Sequence, residues 1–339
     1  MTIMREEIDQ IPAAVERLLK AVPEQIVPAA VAFRAFDPKV VVTIARGSSD
    51  HAAYFLKYAI ELQLGLPVAS LGPSIASIYG APMHLGSAAA LSVSQSGASA
   101  DIVAMAQGAR KGGALTAALL NTVPSPLAQA SEFAIDIAAG AEYAVAATKS
   151  YVNSIVAGLA LIAHWSDDAA LKAALEKLPE HLDASLAVDW SPMIETIAHS
   201  QSLYMLGRGP TMAIAAEAAL KCKETCELHA EAYSSAEMLH GPVSLVDRNF
   251  PVIAFAARDA AEVSVIETVA SLTSKNPHCY VSSDKAGDAV RLPFVATGHP
   301  LTDALALIVP FYGFVEALSV RRGYDPDKPA ALKKVTVTR

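Results

Sequence analysis

The sequence has 339 residues, 53% of them hydrophobic and 18% charged, with a net charge of −8. That balance excludes a disordered chain, which cannot bury enough apolar surface, and nonspecific nucleic-acid binding, which needs a basic face. Three cysteines, Cys222, Cys226 and Cys279, are too few and too odd in number for a disulfide framework.

The opening MTIMREEIDQ is acidic and lacks the basic-then-apolar order of a signal peptide. Residues 5–35 read as one or two helices, with Ile8, Ile11, Val15, Leu18 and Leu19 at helical spacing. From Lys39 the pattern changes to KVVVTIARGSSD, a β-branched run ending in glycine and serine, followed by the helical HAAYFLKYAIELQLG. AAALSVSQSGASAD repeats that grammar before the helix DIVAMAQGARKGG, and GALTAALLNT is a third strand ending at Asn121. Strand–loop–helix units of this size predict parallel strands with helical crossovers, an α/β doubly wound sheet. Residues 150–187 are mostly helical. The most apolar stretches, around 154–165 and 304–320, are short or interrupted by Pro310 and Glu316. Neither reaches the roughly 18–20 uninterrupted apolar residues of a spanning helix, so a cytoplasmic protein with no membrane partner is expected.

The grammar then restarts. Laying Arg46 on Arg208, a shift of 162 residues, aligns VVTIARGSSDHAAYFLKYAI with SLYMLGRGPTMAIAAEAALK, and FPVIAFAARD falls where ALSVSQSGAS sits. So long a shift predicts a duplicated domain rather than a solenoid. The expected division is a helical segment 1–38, a first domain 39–187, a second 188–324 and a tail 325–339. The first domain carries loop serines that the second mostly lacks.

SVSQSGAS, 92–99, follows a strand and opens a helix, where unpaired backbone N–H groups and the helix dipole favour an anion. Ser94, Ser96 and Ser99 add hydroxyls, Gln95 an amide, and Gly97 lets the backbone come close. The set suits a phosphate monoester, although it has neither a P-loop lysine nor a dinucleotide glycine pattern. ARGSSD, 45–50, brings Ser48 and Ser49 to the neighbouring strand end. One capped helix needs one serine, so anion binding is favoured over simple capping.

In EAALKCKET, 217–225, Glu217, Lys221 and Glu224 fall at spacings of four and three, on one helix face. Such a row is commonly a solvated salt-bridge ladder. Here LHAEAYSSAEMLHGP follows, with His240 before Gly-Pro, where a helix or turn must stop. A carboxylate flanked by lysine is suited to proton transfer, and a nearby histidine to a second acid–base role. Cys222, Cys226 and His229 lack a fourth ligand, and buried thiols on a packed helix are the better reading.

SVSQSGASAD, AVAATKS, LGRGPTMAIAAEAALKCKE, LHAEAYSSAEMLHGP and DPDKPAALKKVTVT run in the order seen in the isomerase half of glucosamine-6-phosphate synthase, which the chain resembles over nearly its whole length. The resemblance implies two tandem sugar-isomerase (SIS) domains, N-terminal helices and a C-terminal tail that enters the active site. It implies that Ser49, Ser94, Gln95, Ser96 and Ser99 hold a sugar phosphate, with Ser48 adjacent, and that Val145 lies in a substrate-contacting loop. Glu224 matches the carboxylate that moves a proton between C1 and C2, with Glu217 and Lys221 its supporting charges. His240 matches the ring-opening histidine, which in the family comes from the partner subunit, so a homodimer with a shared active site is implied. Lys334 matches the tail lysine that forms an imine with the open-chain sugar, with Lys333 next to it.

Two features depart from the synthase. The chain starts almost directly at the isomerase half, so release of ammonia from glutamine is not expected, and Arg46 and Ser48 stand where the synthase has cysteine and threonine. ARGSSD and EYAVAATKS look more like stand-alone double-SIS enzymes of the degradative direction. The expectation is a glucosamine-6-phosphate deaminase/isomerase that needs no metal or other cofactor. The alternatives are a galactosamine-6-phosphate deaminase/isomerase, a fructosamine-6-phosphate deglycase, a plain aldose–ketose isomerase, or a sugar-phosphate sensor.

Overall fold

The computed structural model describes residues 1–332 and 334. The chain forms two compact units, one of Ala13–Glu142 with Lys149–Glu176, the other of Met1–Pro12, Tyr143–Thr148 and Lys177–Lys334. The short helix α1 (Ile3–Asp9), capped by the Thr2 side chain on the Arg5 amide, belongs to the second.

In the first unit, α2 (Ile11–Gln25) and α3 (Val27–Phe36) lead into β1 (Val40–Ile44), α4 (Ser48–Leu64), β2 (Val68–Ser70) and α5 (Ser74–Ser77). β3 (Ala88–Ser94), α6 (Ala100–Lys111), β4 (Leu115–Leu120), α7 (Pro126–Ala130), β5 (Phe133–Asp136) and α8 (Lys149–Ser166) follow. The five strands are parallel, in the order β2-β1-β3-β4-β5. β3 is buried along its whole length, as a parallel strand covered on both faces must be. Alternation divides the faces: Val42, Ile44, Ala88, Ala90 and Leu120 pack with Met105 and Ala106 of α6. α8, buried on nearly every side, lies against α3 and α4. Because chain connections leave β1 and β3 in opposite directions, their carboxyl ends border the crevice where such sheets bind ligands.

In the second unit, α9 (Ala169–Leu186), which brings the chain in, is followed by α10 (Ile194–Ala198), β6 (Ser202–Gly207), α11 (Pro210–Cys226), β7 (His229–Ser234) and α12 (Ser235–Met238). β8 (Val252–Ala254), α13 (Glu262–Thr273), β9 (Cys279–Val281), β10 (Val290–Arg291), α14 (Pro300–Ala306) and α15 (Ile308–Arg321) complete it. Its parallel sheet runs β7-β6-β8-β9-β10, the same order as the first with the second strand at one edge. Tyr204, Leu206, Val252, Ala254 and Val281 pack on Val265 and Val269 of α13.

The turns into the leading helices match as well. Gly47, before α4, has φ 57° and ψ −135°, and Gly209, before α11, has φ 62° and ψ −137°. Both lie where an L side chain is strained, which is why ARG and GRG each place glycine there. Pro300–Arg321 is longer than the apolar run read from sequence and meets the length and composition of a membrane span, but 83% of its most apolar window is buried inside the protein. The stretch is divided at Leu307 into α14 and α15, and Pro310 sits within the first turn of α15, where its missing N–H is tolerated.

Gly158 sets how closely α8 approaches α4, since a Cβ there would stand 2.3 Å from one Leu56 methyl and 2.4 Å from the other. Gly158→Val should lower the stability of the protein by about 1–3 kcal/mol in urea denaturation. Adding Leu56→Ala should return part of that loss by vacating the space.

Candidate active site

α11 carries the acidic–basic–acidic row, and it is not a solvated ladder. The Glu217 and Lys221 side chains are 0% exposed, and only Glu224, at 21%, reaches solvent. Lys221 Nζ lies 3.3 Å from Glu217 Oε1 and donates to Glu224 Oε2. Burial by itself would lower the Lys221 pKa, but the two carboxylates outweigh it and hold it above the ordinary lysine value. The ammonium therefore stays charged deep in the unit, and Glu224 meets solvent with a fixed cation beside it.

α15 fixes the end of the helix that bears Glu224. Ser319 Oγ donates to the Thr225 carbonyl at 2.6 Å, and Arg322 Nε to the Cys226 carbonyl at 3.0 Å. Glu227, at φ 46°, closes the helix with its N–H on the Cys222 carbonyl. The hydroxyl of Tyr312 donates to Glu217 Oε1 at 3.4 Å, extending the row by one neutral donor. Sequence reasoning missed Tyr312; the signal was a hydroxyl-bearing ring inside a buried apolar helix, where its O–H needs a partner. Cys222 and Cys226 are buried, and burial pushes the Cys226 thiol up to about 11, so both stay protonated on the packed helix. His229 is exposed at the start of β7.

Val145 and Lys334 fall together. Lys334 Nζ donates to the Ala144 carbonyl at 2.6 Å, and the Val145 amide to the Asp327 carbonyl at 3.2 Å. Glu7 of α1 accepts from the Tyr143 and Ala144 amides, and the Asp327 carboxylate accepts from the amides of Ile3 and Met4 at 2.8 and 2.7 Å. The loop and the tail are thus tied to one another and to α1. Lys333 and residues 335–339 lie outside the described residues. His240 is exposed just after α12, with Gly241 beyond it at φ 136°, and its imidazole has no hydrogen-bond partner among the described residues.

The serines gather in the first unit. Ser48 and Ser49 form the first turn of α4, and Ser99 is the N-cap of α6 yet makes no capping bond with its side chain. Ser94 Oγ accepts from the Gly97 amide at 3.1 Å and Ser96 Oγ from the Ala98 amide at 3.3 Å. Each hydroxyl keeps its proton to donate elsewhere. The Gln95 carbonyl accepts from the Asn121 amide, anchoring the loop to the end of β4. Gly97, at φ 61°, admits no side chain, since a Cβ would lie 2.3 Å from Ser125 Oγ. The loop sets hydroxyl and amide donors at two helix N-termini, an arrangement suited to an anion.

A sequence profile of the SIS domain matches residues 36–164 and 196–291, more than half of the chain. The chain belongs to the SIS-domain family. Among relatives, the glutamine–fructose-6-phosphate aminotransferase (isomerizing) of Aquifex aeolicus strain VF5 is 31% identical over 346 residues, covering 99% of this chain and 57% of that protein. The chain spans about half the length of the curated relatives it matches. A solved candidate phosphosugar isomerase of Silicibacter pomeroyi DSS-3 has 52% identity and a TM-score of 0.93, over 96% of this chain and 100% of that one. The C-terminal domain of glucosamine-fructose-6-phosphate aminotransferase from Francisella tularensis follows with a TM-score of 0.87 at 25% identity, over 97% and 98%. Within the SIS family this chain stands with the phosphosugar isomerases.

Breaking the buried row should be costly. Lys221→Met leaves Glu217 buried without its cation and should destabilise the SIS protein by about 3–5 kcal/mol in urea denaturation, whereas Glu217→Gln/Lys221→Met should recover much of the loss. A lysine pKa raised by folding adds stability that is complete below the unfolded value of about 10.4 and is lost as pH climbs through the folded one. The gap between parent and Lys221→Met should therefore stay level from about pH 7 to 9 and shrink only in stronger alkali.

Proposed function

We propose that this SIS protein is a glucosamine-6-phosphate deaminase, converting glucosamine 6-phosphate and water to fructose 6-phosphate and ammonia. The observation that carries the reading is the α11 row, in which two of three charges are fully buried and Glu224 alone reaches solvent. That is the make-up of a general base, a carboxylate open to substrate and backed by a buried cation. The names of the relatives, which join fructose 6-phosphate to an amino group and to isomerisation, support the same chemistry.

In this reading the Ser94–Ser99 loop, with Ser48 and Ser49, takes the 6-phosphate, whose oxygens accept from the hydroxyls and helix amides. Holding the phosphate fixes the position of C1 and C2 for the proton transfer. His240, supplied by a second copy of the chain, moves the proton that opens the pyranose ring. Glu224 then takes the proton from C2 of the open-chain aldehyde, giving an enolamine, and returns it to C1. The product carries a 2-imine, which water hydrolyses to the ketone with loss of ammonia. Lys221 supports Glu224 by donating to its carboxylate, Glu217 holds Lys221, and Val145 borders the sugar. Lys334 can condense with the ketose carbonyl as an imine in the reverse sense. The place for such an enzyme is the cytoplasm, and its working form is a homodimer.

Purified protein given glucosamine 6-phosphate should release ammonia and fructose 6-phosphate in equal amounts. Glu224→Gln should cut turnover at least about 10²–10⁴-fold, while calorimetric binding of glucosamine 6-phosphate persists. Normal turnover by Glu224→Gln would remove the assigned base. Activity confined to galactosamine 6-phosphate or a fructosamine 6-phosphate would change the substrate, and interconversion of phosphoaldose and phosphoketose without ammonia would make it a plain isomerase. Binding with no turnover of any of these would make it a sensor.

A further inference from the structure

Arg46 stands at the mouth of the first unit's crevice, and neither the capping of α4 nor the core of the sheet requires it. It follows the last buried residue after β1, Ala45, and precedes Gly47, the N-cap of α4. Its Nε and Nη2 lie 3.1 and 3.0 Å from Oδ2 of Asp101, in the first turn of α6. The pair therefore joins the starts of the two helices that bear Ser48, Ser49 and Ser99. Its two ends differ in burial: the Asp101 side chain is 0% exposed and that of Arg46 52%.

An exposed ion pair is worth little by itself, and an aspartate in the first turn of a helix is already favoured by the dipole. Asp101 Oδ1 also faces the Ile102 amide, 2.9 Å away. A buried carboxylate holding one edge of a guanidinium instead serves to orient it. Arginine has five N–H donors in a rigid fork, and this bond occupies two of them, leaving three on a side chain that is 52% exposed. The serine loop offers only neutral donors. A phosphate monoester carries close to two negative charges at neutral pH, which neutral donors hold without compensating. Asp50, in the first turn of α4, is the opposing acidic group on that helix; burial raises its carboxyl pKa, against the pull of His51 and Arg46.

We propose that Arg46 is the cationic phosphate ligand of this protein and that Asp101 is the positioning residue that aims it. The inference rests on the phosphosugar reading above and deepens it. Arg46 supplies charge and a planar pair of donors to the phosphate held by Ser94, Ser96 and Ser99, so that a phosphorylated sugar is selected over its neutral counterpart. Asp101 acts only through Arg46.

The test is calorimetric titration of inorganic phosphate, fructose 6-phosphate and fructose into the full-length protein and its variants, with thermal unfolding as a control. Arg46→Gln should weaken both phosphate ligands about 10–100-fold and leave the weak binding of fructose where it was. Arg46→Lys, which keeps the charge without the fork, should lose about 3–10-fold, and it carries the test if Arg46→Gln does not fold. Asp101→Asn should also weaken phosphate binding, because a released guanidinium must be ordered again. Tighter phosphate binding by Asp101→Asn would show that the carboxylate merely opposes the anion, and would overturn its positioning role. Phosphate affinity within twofold of the parent in both arginine variants, with a lowered melting temperature, would make the pair a strut between helices and overturn the proposal. Ser94→Ala/Ser96→Ala separates this from failure of the underlying reading. If it weakens phosphate binding while Arg46→Gln does not, Arg46 alone is wrong; if neither does, the serine loop is not the phosphate site.

Discussion

An ammonium buried in the middle of a helix cannot stand alone, and the second unit is arranged around that constraint. Lys221 is fully enclosed on α11, and its charge persists because Glu217 and Glu224 sit one turn away on either side. Desolvation and attraction oppose each other there, and attraction wins by virtue of two carboxylates against one cation. The consequence is asymmetric. Glu217 is sealed in with a Tyr312 hydroxyl, whereas Glu224 keeps contact with water. Three charges on one helix thus leave a single usable carboxylate, backed by a cation that cannot move away.

The helix has to be held for that asymmetry to matter. Ser319 and Arg322 of the C-terminal region bond the last carbonyls of α11, and the Glu227 turn closes it. Each of these bonds satisfies a carbonyl that a helix end would otherwise leave to solvent. The first unit uses the other end of helices. α4 and α6 begin at the carboxyl edges of paired parallel strands, so their free amides and the hydroxyls of Ser48, Ser49 and Ser99 collect at one crevice. The two units share strand order and the glycine conformation before the leading helix, yet one presents hydroxyls and the other a buried ion row.

Much of this was legible in the residues. The alternation of β-branched runs, glycine–serine loops and amphipathic helices specified parallel strands with crossovers, and both sheets are of that kind. The spacing of Glu217, Lys221 and Glu224 specified one helix face, because a helical repeat is a local property of the backbone. The serines of 94–99 were visible as an excess over what one helix cap needs, and Ser99 in fact makes no side-chain cap. Burial was not legible. A Glu–Lys–Glu face reads as solvated on its own, and only the packing of α14 and α15 on α11 makes it a core feature. The interruption expected near Pro310 in the 304–320 region is present as the break at Leu307 between α14 and α15, with Pro310 in the first turn of α15.

What the chain by itself determined is therefore everything set by neighbours within about a dozen positions: strand runs, the glycine turns at Gly47 and Gly209, the serine loop and the row on α11. Pairings between distant residues were decided only by the tertiary structure. Tyr312 reaches Glu217 across 95 positions, Arg46 reaches Asp101 across 55, and Lys334 reaches the Ala144 carbonyl across 190. No local pattern encodes such contacts. They exist because folding brings remote side chains into volumes where a charge or hydroxyl without a partner is costly.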